Sequence, residues 1–255
     1  MKMAIISDIH GNLPALEAVY RHIQDQKPDA VYCLGDLVNQ NVWNNEVVEF
    51  INVHNIPCVL GNHDEGIGND RKNFPFAYSL REEEAWGKQA IAYTLQHVTI
   101  ENKKYLKHLP LSISFYTLAA RNCVMMVHGT PDHNTERIYR FSKEQGMSKI
   151  MDDAKADILL VGNTHCSFHK IIEKNINEQK HFQHVINPGS VGCPKDGSWH
   201  ACYAVISLSE KKNLCADADA VKVNFYRLDY DINKVIKAIQ HTPLPIFYAG
   251  RLLKY

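Results

Sequence analysis

Five short apolar runs in this chain each end in residue types that bind metal ions: AIISDIH at Asp8 and His10, VYCLGD at Asp36, CVLGNHD at Asn62 and His63, MMVHG at His128, and LLVGNTH at Asn163 and His165. A short apolar run bounded by turn residues reads as a buried strand. In open α/β sheets, sites form in the crevice beyond the carboxyl ends of the strands. The five run-ends therefore point at one region of space, and most carry a glycine that lets backbone approach closely. One Asp or His in such a place is ordinary turn or capping chemistry. Five in succession are not.

The intervening segments supply the crossovers. LPALEAVYRHIQDQ has apolar positions 13, 16, 19, 20 and 23 at helical spacing, with Asn12 and Pro14 marking its start, and NEVVEFINVHN reads as a second helix. With KMAIIS, AVYCLG and IPCVLG as strands, the order is βαβαβ, which predicts a parallel sheet with right-handed connections. Residues 66–110 break this rhythm with two helical stretches, EEEAWGKQAIAYTLQHV and IENKKYLKHLP. SISFYTL and NCVMMVHG then read as strands joined by a hairpin at AARN, followed by a helix around 142–154 and the strand DILLVG. From about 169 the pattern is mostly β, through HKIIEK, FQHVINPGS, ACYAVISL and VKVNFYRLDY, before a helix capped by Asp231 and a closing helix in FYAGRLLKY. The expectation is one α/β domain over 1–255, with a mostly helical insertion at about 66–110 and two mixed sheets packed face to face beneath outer helices.

Composition narrows the class. Lys plus Arg and Asp plus Glu both number 28, so the overall field favours neither nucleic acid nor a membrane surface. No apolar run approaches the length of a membrane span, and the N-terminus turns polar too early for a signal peptide, so a cytoplasmic protein is expected. The 7 cysteines contain no CxxC pair and read as buried free thiols.

The ligand inventory at the run-ends is two carboxylates (Asp8, Asp36), three imidazoles (His10, His128, His165) and the amides of Asn62 and Asn163. Mixed N/O donors without thiolate suit Mn, Fe, Zn or Ni. Six or seven donors exceed the needs of one four-coordinate ion and match two ions sharing a carboxylate. Such a pair activates water and clamps a phosphoryl group.

The ordered blocks DIHGN, GDLV, GNHD, VHG and GNTH resemble the signature of the calcineurin-like metallophosphoesterase superfamily. NLPALEAVY, NEVVEF, INPGSVGCPKDG and LPIFYAGRLLKY extend the similarity to bacterial and archaeal phosphodiesterase-type members related to diadenosine tetraphosphatases and PP2A-type phosphatases. The resemblance implies a four-layer αββα sandwich around two divalent metal ions, Mn first among Mn, Fe, Zn, Ni and Mg. It implies that Asp8, His10 and His165 hold the first ion, that Asp36 bridges, and that Asn62, His128 and Asn163 hold the second. It further implies a hydrolase of phosphoric esters in which a bridging hydroxide attacks phosphorus and His63 protonates the leaving oxygen. Small phosphoesters, with nucleotides or dinucleoside polyphosphates among them, are the expected substrates, and the oligomeric state stays open. A non-catalytic scaffold that keeps this fold, or a Ser/Thr protein phosphatase, are the alternatives.

Two departures from the family pattern stand out. The family reads Gly-His-Thr-His where this chain has Asn163 in place of the first His. An amide oxygen is a weaker donor than imidazole for Zn or Ni, so a weaker, more Mn-like second site is expected. After Gly-Asp, Asn39, Gln40 and Trp43 stand where protein phosphatases carry Asp and Arg, which argues against a dedicated protein phosphatase. His133, His181, His184 and His200 read as surface or hydrogen-bonded, Tyr105 and Trp86 as packing, and NPGS as a tight turn near the site with Asn187 in support.

Overall fold

The computed structural model describes residues 1–74, 81–118 and 121–253. The chain opens with β1 (Lys2–Ile6), α1 (Leu13–Gln26), β2 (Ala30–Cys33), α2 (Asn44–Val53) and α3 (Asn62–Gly68), followed by α4 (Arg81–His97) and α5 (Ile100–Lys107). Next come β3 (Ser112–Tyr116), β4 (Cys123–Val127), α6 (Glu144–Asp153), β5 (Ile158–Leu160), β6 (Phe168–Ile176) and β7 (Gln179–Asn187). β8 (Ala201–Leu208), β9 (Val221–Leu228), α7 (Ile232–Gln240) and α8 (Ile246–Leu252) complete it.

Two mixed sheets result, ordered β2-β1-β8-β9 and β3-β4-β5-β7-β6. Side chains alternate across a strand, and β1 shows the consequence. Met3 and Ile5 pack with Val124, Met126, Ile158, Leu160 and Ile186 of the other sheet, while Ala4 and Ile6 face Leu16, Val19 and Ile23 of α1. On the far side, Val127, Leu159 and Val185 pack against Met147 and Met151 of α6. Helix, sheet, sheet and helix therefore stack in the expected four-layer αββα order. Each fully buried Leu, Ile or Val in these layers stabilises the fold by about 1.5–3 kcal/mol, so the layers, not helix propensity, hold the strand ends in place.

Local signals account for the boundaries. Asn12 accepts from Ala15 N at 3.2 Å as the cap of α1, and Asp231 accepts from Lys234 N at 2.9 Å as the cap of α7. β6 and β7 turn through Asn177 and Glu178, both left-handed at φ 50° and 64°, the two-residue geometry that suits strand twist. The expected third strand, IPCVLG, is a correction: it contributes only a single parallel bridge, Cys33 to Cys58. Pro57 has no N–H to donate, and Leu60 N turns away to Pro110 O at 2.7 Å, so the segment touches the edge of β2 without extending the sheet. In the expected AARN hairpin, residues 119 and 120 lie outside the described residues, but β3 and β4 pair antiparallel as expected. No helix among the described residues is long and apolar enough to cross a membrane.

Candidate metal centre

β1, β4 and β5 stop before their polar residues begin, and the chain then reverses sharply. Asp8 (φ 53°), His10 (49°), Asp36 (56°), Asn163 (62°) and His165 (58°) are all left-handed. Asn, Asp and His tolerate this conformation better than most residues, at about 1–2 kcal/mol each. The alternation of side chains along a strand does not bring Asp8 and His10 together, because both lie on the loop beyond β1. Backbone bonds between neighbouring loops do: Asp8 N donates to Gly35 O at 3.0 Å, His10 N to Asp36 O at 2.9 Å, and Gly162 N to His128 O at 2.8 Å. Ser190 Oγ donates to Asp8 O at 2.7 Å, and Asn187 Nδ2 donates to Gly162 O at 2.8 Å and Thr164 Oγ1 at 3.0 Å, so the NPGS turn braces the site as expected.

Close backbone approach needs glycine at particular places. A Cβ on Gly192 would lie 1.7 Å from Ile9 O, and one on Gly61 2.2 Å from Asp36 N. Asp64, next to His63, accepts from Asp36 N at 2.7 Å, Leu37 N at 2.8 Å and Gly61 N at 3.2 Å. It fixes the loop carrying Asp36, a role that the GNHD block alone did not disclose.

The imidazoles are oriented by what their second nitrogen touches. Nδ1 of His10 faces Val38 O at 3.2 Å, Nδ1 of His128 faces Leu34 O at 2.6 Å, and Nδ1 of His165 faces Cys193 O at 2.6 Å. A carbonyl only accepts, so each Nδ1 carries a proton and each Nε2 is turned into the cleft. There the Nε2 atoms of His10 and His165 lie 3.3 Å apart. Nε2 of His165 is 3.3 Å from Asp8 Oδ1, and Nε2 of His128 is 3.2 Å from Asp36 Oδ2. All five side chains are buried.

Electron pairs brought together this way repel unless a cation or protons lie between them. Asp8 Oδ1, Asn62 Oδ1 and His128 Nε2 are buried and have no hydrogen-bond partner among the described residues. Burial, followed by the influence of Asp36 after the opposing His128, lifts Asp8 to about 6. Burial also opposes the charge on Asp36, but His128 and His63 outweigh it and hold that carboxyl well below the usual range. For His128, burial favours the neutral ring, yet Asp36 outweighs it and raises the group to about 10. His10 and His165 are pushed far down, chiefly by burial, and keep their lone pairs. The site thus gathers two carboxylates and two neutral imidazoles, with a proton held between His128 and Asp36 that a divalent ion there would displace. Asp8, His10 and His165 form one three-donor group and Asp8, Asp36 and His128 another. The donor set fits divalent ions.

His63 is oriented in the opposite sense. Asn39 Oδ1 accepts from Gln40 N at 2.9 Å and Thr94 Oγ1 at 3.1 Å, which turns its Nδ2 toward His63 Nδ1 at 2.9 Å. Nδ1 of His63 therefore accepts, and the ring proton sits on Nε2, 3.9 Å from Asp36 Oδ2. Burial is the main reason this ring is lowered to about 4. His63 N also donates to Asp36 Oδ1 at 2.9 Å. Gln40 lines the cleft, while Trp43 is packed against the core beneath Lys234.

Asn163 lies in the cleft wall with its amide engaged. Its Nδ2 donates to Asn134 O at 3.1 Å and Glu136 O at 3.0 Å, and its Oδ1 accepts from Arg137 Nε at 3.1 Å. Arg137, Lys195 and Arg251 line the same cleft, and the sequence reading gave none of them a role. His181 pairs instead with Asp157, His184 with His169 and His200 with Asp229; Trp86 stacks on Phe247.

Comparison with known proteins agrees with this geometry. The family model of the calcineurin-like phosphoesterase superfamily domain matches residues 1–211. An uncharacterized protein of Methanocaldococcus jannaschii is 33% identical over 260 residues, covering 98% of this chain and 96% of the relative. A metallophosphoesterase from Sphaerobacter thermophilus superposes with a TM-score of 0.72 at 28% identity, over 99% of this chain and 98% of that one. A hypothetical protein from Pyrococcus horikoshii shares the fold with a TM-score of 0.76 at 22% identity, over 98% and 97% of the two chains. Cleft, fold and sequence agree: the chain belongs to the calcineurin-like phosphoesterase superfamily.

Proposed function

We propose that this protein hydrolyses phosphoric esters with two divalent ions, Mn the preferred one. Asp8, His10 and His165 would hold one ion, Asn62 and His128 the other, with Asp36 between them. Bound there, the ions would supply an activated water at neutral pH and neutralise charge on the phosphoryl oxygens. The observation that carries the reading is the orientation of three imidazoles, which bind carbonyls through Nδ1 and aim Nε2 at two buried carboxylates and at each other.

The chain's own residues do the remaining work. Burial excludes water from Asp8, Asp36 and His128, so charge complementarity there is strong. His63 presents Nε2–H on the cleft side, where it hydrogen-bonds the leaving-group oxygen; once the ring takes a second proton from solvent at Nδ1, it gives the Nε2 proton to that oxygen as the ester bond breaks and is left neutral. The amide of Asn39 at Nδ1 disfavours a second ring proton, so His63 reaches its imidazolium form only with the negative charge of a phosphoryl group beside it.

Mn-dependent turnover of bis-p-nitrophenyl phosphate tests the proposal. Wild type is expected to turn over only when metal is supplied, and Asp36→Asn to lose activity by a factor of a hundred or more. Undiminished activity in Asp36→Asn would refute it.

A further inference from the structure

The amide of Asn163 is fully used by protein groups. Two N–H bonds go to the carbonyls of Asn134 and Glu136, just before Arg137 in the same loop, and the oxygen receives Arg137 Nε. A histidine could not make this set of contacts, since it has at most two ring nitrogens and no carbonyl oxygen. The loop is pinned independently. Thr130 Oγ1 donates to Glu136 Oε2 at 3.0 Å, Asn134 Nδ2 donates to Glu65 Oε2 at 2.9 Å, and a Cβ on Gly129 would lie 2.5 Å from His133 O. Arg137 is thus held by Nε with the rest of its guanidinium at the cleft, where Lys195 and Arg251 also lie.

These three cations have no ion-pair partner among the described residues, while Glu83, the remaining charged residue of the cleft wall outside the donor cradle, is itself partnered. Lys195 is close enough for its field to reach Asp8, His10, His63 and His165. Unpaired, half-buried cations converging on one cleft fit an anion more extended than a single phosphoryl group. A second metal ligand at position 163 would also have to share its oxygen with a guanidinium 3.1 Å away, placing two cations on one amide.

We infer that Asn163 is a positioning residue that aims Arg137 into the cleft in place of binding metal, and that Arg137, Lys195 and Arg251 form a subsite for a phosphate joined to the one being cleaved. The substrate class is then a phosphoanhydride-containing ester such as a nucleoside polyphosphate. This rests on the phosphoester hydrolase reading but is measured separately from it.

Calorimetric titration of Mn into metal-free protein tests the bracket. Asn163→Ala is expected to bind Mn within about threefold of wild type, whereas Asn62→Ala weakens it tenfold or more. A tenfold loss in Asn163→Ala makes residue 163 a ligand and overturns the bracket. Equilibrium binding to the Mn-loaded protein tests the subsite, with AMP and non-hydrolysable α,β-methylene-ADP as probes. Wild type is expected to prefer the diphosphate at least tenfold, and Arg137→Ala and Asn163→Ala to lose most of that preference, with Arg137→Lys intermediate. Equal affinities in wild type, or a preference that survives Arg137→Ala, overturn the subsite. Arg137 is half-buried at the cleft and its removal leaves the core intact, so the subsite can be judged even where Asn163→Ala does not fold. Turnover of bis-p-nitrophenyl phosphate by the same preparations reads the hydrolase assignment on its own: no turnover refutes that assignment, while the diphosphate preference still decides the subsite.

Discussion

Replacing Asn39 with Asp should turn His63 into a stronger proton donor. Asn39 Nδ2 lies 2.9 Å from His63 Nδ1, and its Oδ1 holds Gln40 N and Thr94 Oγ1. A carboxylate keeps the last two donors and converts the contact to His63 from donor to acceptor, so Nδ1 gains a proton and the ring becomes imidazolium. Opposite charges about 4 Å apart at an effective dielectric constant near 20 attract by ~4 kcal/mol, which raises the imidazole by about three pH units from its present value of about 4. Burying the carboxylate costs part of this, so a stability loss of about 1–3 kcal/mol accompanies the change. Parent and variant carry the same metals, whose effect on His63 cancels in the comparison. The assay is a pH–rate profile on two diesters, one leaving as p-nitrophenolate and one as a poor alkoxide. A raised group stays protonated to higher pH, so the variant should hold its rate on the poor leaving group upward by two to three pH units, with a gain of tenfold or more near neutrality. The p-nitrophenyl ester, which needs little protonation, should change far less. If both substrates respond equally, or neither profile moves, His63 is not the proton donor or Asn39 does not control it.

Three further outcomes follow from the same structure. Mn at one hundred times its dissociation constant should stabilise the protein by about 2.7 kcal/mol, a rise of roughly 5–10 °C in thermal midpoint; Asp36→Asn should abolish the shift in a thermal melt. His184 is lowered to about 4 by burial and by His169. A histidine lowered in the folded state takes up its proton first in the unfolded chain, so the stability it supports is present above its unfolded value near 6.5 and is lost as pH falls toward 4. Urea titrations should show wild type losing about 2 kcal/mol more than His184→Gln between pH 7.5 and 5, and equal losses would contradict this. Gly192→Ala should cost several kcal/mol and scatter the cradle, because its Cβ would lie 1.7 Å from a backbone oxygen; Gly197→Ala, with φ 86° and no heavy atom within 4 Å, should cost only about 1–2 kcal/mol. Comparable losses in the two variants would show that close approach at Gly192 is not what holds the loop of Asp8.

What could be read from the sequence was local, and what could not depends on contacts between distant loops. An apolar run closing on Asp8, Asp36 or His128 states both its burial and its donor chemistry in a few residues, so the strands and the cradle were legible together. The segment at IPCVLG failed because β-propensity says nothing of where the edge of a sheet lies: Pro57 and the bond from Leu60 to Pro110 decide it. Asn163 shows the deeper limit. Its residue type announces an amide oxygen at a position where the family has a ligand, yet what that oxygen meets is set by Arg137, on a loop with no periodic signal of its own. Lys195 and Arg251 are equally silent, since a chain with 28 cationic and 28 anionic residues hides a local imbalance in its average. Electroneutrality of the whole chain and a cationic wall in its cleft are compatible because the field inside a narrow, low-dielectric crevice is governed by the few charges lining it. The donor set was thus written in the run-ends, whereas the cationic lining of the cleft is written in the tertiary arrangement that brings Arg137, Lys195 and Arg251 to the same opening.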